Sequence, residues 1–169
     1  MEKWDILNAQ GTPTGKTVVR GRTFLRPGEF HLVVHIWIVS PKGELLIQKR
    51  SMAKKLMPGE WAATGGSALS GESSFCAAKR ELFEELGISA NEEDLKFIKR
   101  IRRRNSLVDV WFISCDTPAD KLKLQKSEVA SARWVNAETF CEMVEKGKFH
   151  NYGKDYFNLI LETARKITE

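Results

Sequence analysis

The sequence predicts an α/β sandwich in which a mixed β-sheet is held between helices. Three observations carry that expectation. His31 to Val39 is an almost unbroken apolar, β-branched run, the signature of a buried strand. A single amphipathic helix, Ser73 to Leu86, interrupts a series of strands. Helical patterns then close the chain, so the order is strands, one helix, strands, helices, which suits a sheet covered on both faces.

The elements follow in order. Residues 1–30 are rich in turn signals, Asn8 to Gly11, Thr12 to Gly15 and Arg26-Pro27-Gly28, which separate short segments such as Trp4 to Leu7 and Lys16 to Arg20. They read as a small hairpin laid on the main domain or on a partner subunit, which makes a homodimer an option. Residues 31–169 form the main domain. After His31 to Val39, the turn Pro41-Lys42-Gly43 leads into Glu44 to Arg50, with Leu45 and Ile47 on one face and Leu46 and Gln48 on the other. Trp61 to Thr64 is a short strand ending in Gly65-Gly66. The helix Ser73 to Leu86 stops at Gly87, the residue suited to the position after a helix. Leu95 to Arg103 and Leu107 to Cys115 are strands joined near Arg104-Asn105-Ser106, and Arg133 to Val135 is another. Asn136 caps a helix running to about Lys146. Tyr156 to Ile167 is the last helix, with Phe157, Ile160, Leu161 and Ala164 at helical spacing.

The composition bounds the class. With 169 residues, 42% apolar and 29% charged, the chain suits one soluble domain with a real core. No apolar run approaches a membrane span, and the N-terminus lacks the layout of a secretory signal. Three cysteines, Cys76, Cys115 and Cys141, form no Cys-x-x-Cys pair, so reduced thiols in a cytoplasmic protein are expected, with Cys76 as small-residue packing. The net charge of +5 does not choose between an anionic small molecule and RNA.

The chemistry lies in Gly66 to Ile88. At about 100° per helical residue, Phe75, Ala78, Leu82 and Leu86 fall on one stripe that faces the core. Glu81, Glu84 and Glu85 gather within an arc of about 100° on another side. Like charges at this spacing cost a helix roughly 0.2–0.5 kcal/mol per pair, and a cation among them reverses that sign. Every candidate ligand is an oxygen, so the expected ion is hard, Mg²⁺ first and Mn²⁺ second. Mg²⁺ completes its shell with waters and substrate phosphates, which points to phosphoryl or pyrophosphoryl transfer to water. Arg80 is poised to orient Glu81 through paired hydrogen bonds, and a carbonyl in Gly65-Gly66 can join the metal shell. The same heptapeptide taken alone also suits a solvated helix face; the full spacing favours the functional reading.

That spacing is glycine, five residues, glutamate, seven residues, then Arg-Glu-U-x-Glu-Glu-x-Gly-U, with U apolar. It resembles the Nudix box. Gly66, Glu72, Arg80, Glu81, Leu82, Glu84, Glu85, Gly87 and Ile88 fill every specified position. The resemblance implies an α/β/α sandwich and a pyrophosphohydrolase acting on a small-molecule diphosphate. It implies Glu84 and Glu85 as main metal ligands and Glu81 as ligand or as the base that orients and deprotonates water. It makes Arg80 the brace of Glu81, Glu72 and Gly87 architectural, and the Gly65 carbonyl a further ligand. Family members often take another glutamate from a later loop. Glu128 is the candidate, a solvated loop residue being the alternative.

A softer likeness to a subgroup near isopentenyl diphosphate isomerase runs through Trp4-Asp5, Arg20-Gly21, Gly28 to His31, Ile47 to Ser51 and Trp61 to Gly66. Those isomerases carry a catalytic cysteine followed by a metal-binding histidine near the glycine-rich strand. Here that stretch reads Ala62-Ala63-Thr64-Gly65-Gly66-Ser67, with neither, so hydrolysis is the better expectation.

Other residues carry two readings each. His31 and His35 share a strand face, where they could meet a diphosphate or a second metal, or be ordinary core and edge residues. In the basic run Lys99 to Arg104, alternation puts Arg100, Arg102 and Arg104 on one side. It is an anion-binding wall with Arg102 as substrate contact, or a charged edge protected against aggregation. Its arginines keep RNA pyrophosphohydrolase activity as an alternative, without the aromatic interleaving used to stack bases. Arg50, Lys54 and Lys55 are candidate phosphate contacts on the loop before the box.

Overall fold

The computed structural model describes residues 1–22 and 24–169. Residues Lys3–Leu7 (β1) and Pro13–Val19 (β2) form an antiparallel hairpin. It packs on its own chain: Ile6, Leu7 and Val18 are buried, and Leu7 and Phe30 exchange backbone hydrogen bonds of 2.7 and 3.0 Å. The main sheet has seven strands, His31–Val39 (β3), Leu45–Arg50 (β4), Trp61–Ala62 (β5), Thr64–Ser67 (β6), Lys96–Arg102 (β7), Ser106–Ser114 (β8) and Val129–Val135 (β9). The order β5-β4-β3-β8-β7 is mixed, because β3 and β8 run parallel from His31↔Ser106 to Val39↔Ser114.

The sheet forks along β3. Its far end pairs with β4 at Ile38↔Leu46 and Val39↔Leu45, while Val33 to Ile36 pair instead with β6. β4 leaves β3 after Leu46 and continues against β5 and β9. The expected single strand at Trp61 to Thr64 is therefore two short strands broken at Ala63, one on each arm of the fork. Gln48 stands where the arms part.

The period-2 alternation of β3 supplies two cores. Val34, Ile36 and Ile38 face the helix Ser74–Leu86 (α1), burying Ala77, Ala78, Leu82 and Leu86. Trp37 and Val39 face the helices Ala137–Glu145 (α2) and Lys154–Thr168 (α3), through Phe140, Phe157 and Ile160. The α/β/α sandwich is thus built from one sheet with α1 on one face and α2 and α3 on the other. The stripe on α1 is largely as expected, although Phe75 is only partly buried. Cys76 is exposed rather than packed, and all three cysteines are free. No helix among the described residues is long and apolar enough to cross a membrane.

Candidate active site

The helix α1 begins at Ser73, whose hydroxyl accepts the Cys76 amide at 3.1 Å, and ends at Gly87 with φ of 71°. A side chain there would be strained, and glycine avoids that cost. Between these caps α1 presents its carboxylates toward β6 and the loop before it.

Arg80 is the hub. Its Nε and Nη2 donate to the two oxygens of Glu72 at 2.7 and 2.9 Å, a bidentate pair. Its Nη1 donates to Glu81 Oε1 at 2.8 Å and to Glu84 Oε2 at 3.1 Å, and Nη2 also reaches the Ser67 carbonyl at 3.2 Å. Glu72 in turn accepts the Leu69 amide at 2.8 Å. Burial works to raise the Glu72 carboxyl, but the Arg80 and Leu69 hydrogen bonds outweigh it and leave it below its ordinary value. The box glutamate expected to be architectural is thus the main anchor of the arginine, which braces Glu81 from that anchor.

The helical spacing gathers the three carboxylates on one side of α1, but they differ in exposure: Glu85 is only 3% exposed. Its Oε2 accepts from Gln48 Nε2 at 2.9 Å and from the Gly65 amide at 3.2 Å. Burial pushes its carboxyl up to about 8, the charge of Glu81 adds to this, and the two hydrogen bonds oppose it. Burial likewise raises Glu81 against the pull of Arg80, with Glu84 and Glu128 adding repulsion. Glu84 is exposed. The glycines explain themselves by contact: a Cβ on Gly66 would lie 2.7 Å from the Glu81 carboxyl carbon, and one on Gly65 would strike the Val34 carbonyl.

Glu128 is close enough for its charge to add to the upward push on the Glu81 and Glu85 carboxyls. Its carboxylate is paired with Lys54, whose side chain is 15% exposed. The Ser51 amide donates to the Glu128 carbonyl at 2.9 Å, which ties the two loops together. Arg50, the last residue of β4 and not the loop residue expected, turns its Nε to the Leu56 carbonyl at 3.1 Å. Sequence reasoning missed Gln48, the polar partner of Glu85. Its signal was an amide at an inward position beside the apolar Leu45-Leu46-Ile47.

Two proposed substrate contacts lie elsewhere. His31 stacks on Trp4 of the hairpin with ring centroids 4.3 Å apart, and its Nδ1 is buried without a partner. The Arg102 guanidinium sits 4.9 Å from the centre of the Phe30 ring. Among the described residues no hydrogen bond or ion pair joins either residue to the box carboxylates. Arg100, on the same side of β7, is held by Asp109 at 2.6 and 2.8 Å.

The donor set suits a hard cation, since Glu81, Glu84, Glu85, Glu128 and the Gly65 carbonyl are all oxygens. The buried Gln48 Oε1 and Thr64 Oγ1 beside them lack partners. Among the described residues no three His, Cys, Asp or Glu side chains converge tightly enough, as they stand, to hold an ion. The reason is visible in the pairings: Arg80 draws Glu84 outward, Lys54 holds Glu128, and Glu85 is turned to Gln48.

Comparison with known proteins places the chain in a family. Residues 29–155 match the model of the NUDIX domain. An uncharacterized Nudix hydrolase of Listeria monocytogenes is 44% identical over 153 residues, covering 90% of each chain. An isopentenyl-diphosphate Delta-isomerase of Escherichia coli is 30% identical over 137 residues, covering 78% of this chain and 75% of that one. The crystal structure of the Deinococcus radiodurans protein DR0079 superposes with a TM-score of 0.76 over 99% of this chain and 100% of that one, at 20% identity. With the box complete from Gly66 to Ile88 and its carboxylates assembled on α1 against β6, the chain belongs to the Nudix hydrolase family.

Proposed function

We propose that the chain is a Mg²⁺-dependent hydrolase that cleaves the diphosphate linkage of a nucleoside diphosphate joined to a second moiety. The observation that supports it most is the buried Glu85 carboxyl, held by Gln48 and Gly65 with Glu81 and Glu128 crowding it with like charge. Such a cluster is costly without a counter-ion and is stabilised by one.

Glu81, Glu84, Glu85 and the Gly65 carbonyl are the proposed holders of the cation, with Mg²⁺ favoured over Mn²⁺. When bound, the ion neutralises charge on phosphoryl oxygens and acidifies a coordinated water. The protein's own groups do the rest. Arg80, anchored on Glu72, fixes the Glu81 carboxylate, so that Glu81 can align the attacking water and accept its proton. Glu128 is the second candidate for that proton or for the cation, to which it would turn from its pair with Lys54. Arg50 is the proposed phosphate contact at the end of β4. The likeness to an isomerase does not change the chemistry favoured, because Gly65-Gly66-Ser67 offers neither thiol nor imidazole for proton transfer to carbon.

The test is turnover with Mg²⁺ of nucleoside diphosphate sugars, dinucleotide cofactors, nucleoside triphosphates and capped RNA. At least one nucleoside diphosphate derivative should be split into two phosphorylated products. Silence across the panel with bound metal demonstrated would overturn the reading, and deuterium exchange into isopentenyl diphosphate would favour isomerisation.

A further inference from the structure

The hairpin lies outside residues 29–155, the part of the chain that matches the NUDIX domain model, yet it grips the loop that opens the box. Ser70 Oγ donates to Asp5 Oδ1 at 2.6 Å, and the Gly71 amide donates to Asp5 Oδ2 at 2.8 Å. The Ser70 amide donates to the Lys3 carbonyl at 2.8 Å. These three bonds fasten the turn whose next residue is Glu72. Glu72 closes that turn on the Leu69 amide and holds Arg80 with two bonds, and Arg80 holds Glu81 and Glu84. The path from Asp5 to the candidate base therefore runs through hydrogen bonds at both ends, joined by the short backbone stretch from Ser70 to Glu72. Most of its links are charge-assisted and one is bidentate.

We propose that Asp5 is a positioning residue for the metal-binding helix, and that the hairpin exists in this chain to set the register of the box loop. The proposal rests on the hydrolase reading and extends it to an element beyond the family core. Its physical basis is the turn itself. Gly71 has φ of 84°, and a Cβ added there would meet open space, so no side-chain packing fixes this residue. Within the turn the Glu72 amide donates to the Leu69 carbonyl, and from outside it Asp5 and Lys3 tie it to the hairpin. The anchor also has the sign that the start of α1 favours, because a carboxylate near a helix N-terminus is stabilised by the exposed amides.

Asp5→Ala removes both acceptors. The Gly71 and Leu69 amides should then exchange with solvent roughly tenfold faster in metal-free protein, in line with the loss of a supporting shell. Mn²⁺ affinity and kcat should fall by about tenfold with KM nearly unchanged, because outer partners of metal ligands typically matter on that scale. Asp5→Asn keeps an acceptor for Gly71 and should restore most of the loss. Val18→Ala serves as the control, since it loosens the hairpin at a buried position whose side chain makes none of these hydrogen bonds. If it lowers Mn²⁺ affinity as much as Asp5→Ala at equal loss of Tm, Asp5 is merely structural and the proposal fails. Wild-type exchange and Mn²⁺ affinity in Asp5→Ala also overturn it. Should Asp5→Ala not fold, Ser70→Ala cuts the same contact from the loop side and is expected to shift both readouts by about threefold; no shift overturns the proposal. A wild-type protein that hydrolyses nothing refutes the hydrolase reading, while the exchange arm still decides whether Asp5 holds the loop.

Discussion

Glu85 shows how one side chain can serve the site at the expense of the fold. Its carboxyl is buried, and its folded proton affinity exceeds that of the unfolded chain, with a value near 8 against an ordinary 4.5. The folded protein therefore holds a proton that the unfolded chain has released. The stability tied to Glu85 is complete below about pH 4.5 and is lost as pH rises through about 8. Glu85→Gln keeps an oxygen to accept from Gln48 and Gly65 while removing that titration. In chelator at pH 8 its Tm should equal or exceed the wild type's, whereas its kcat should drop on the order of 10²-fold or more. Calorimetry and turnover together check this. A lower Tm with unchanged kcat would mean that Glu85 is a structural carboxylate.

At the level of elements, α1 and its support were unequally legible. The helix and its stripe follow from spacing alone, because 3.6-residue periodicity and terminal caps are local properties. The fork of the sheet was not legible, since the break at Ala63 depends on β3 changing partner between Ile36 and Ile38. The burial of Glu85 was hidden for the same reason: it needs Gln48, 37 residues away along the chain. Glu72 illustrates a half-read case, because its place in the motif was plain but its grip on Arg80 was not. The geometry makes Arg80→Lys severe. A lysine cannot form the bidentate bond to Glu72 and still reach Glu81, so kcat should fall by roughly 10–100-fold with the helix content intact. The loop bearing Glu128 is the other support. Glu128→Gln removes a charge felt by Glu81 and Glu85, so the Mg²⁺ concentration for half-maximal rate should rise about tenfold. An unchanged metal requirement would return Glu128 to the role of a loop residue paired with Lys54.

Across the whole molecule, two histidines join the layers, and both are held neutral. His35 Nδ1 on β3 is hydrogen-bonded with the Tyr156 hydroxyl on α3 at 2.7 Å, and Trp37 donates to the same hydroxyl at 2.8 Å. His31 carries the hairpin through its stack on Trp4. Burial lowers His35 to about 3, and burial with the nearby charge of Arg20 lowers His31 to about 4. Folded values below the unfolded 6.5 mean that the unfolded chain binds protons which the folded protein refuses. The stabilisation is thus complete above pH 6.5 and is lost on acidification toward the folded values. His31→Phe retains an aromatic partner for Trp4 and removes the unpartnered Nδ1, so it isolates one of these titrations. Between about pH 4.5 and 6 its unfolding free energy should fall less steeply than the wild type's, by about 1 kcal/mol per pH unit. Denaturant melts across that range measure the slope. An identical slope in the variant would show that His31 is charged in the folded protein. Hydrolysis at pH 7.5 should be unaffected, because the His31 ring contacts the hairpin and not the carboxylates of α1. A collapse of kcat in His31→Phe would instead restore the ring to the substrate's path and require the hairpin to move aside on binding.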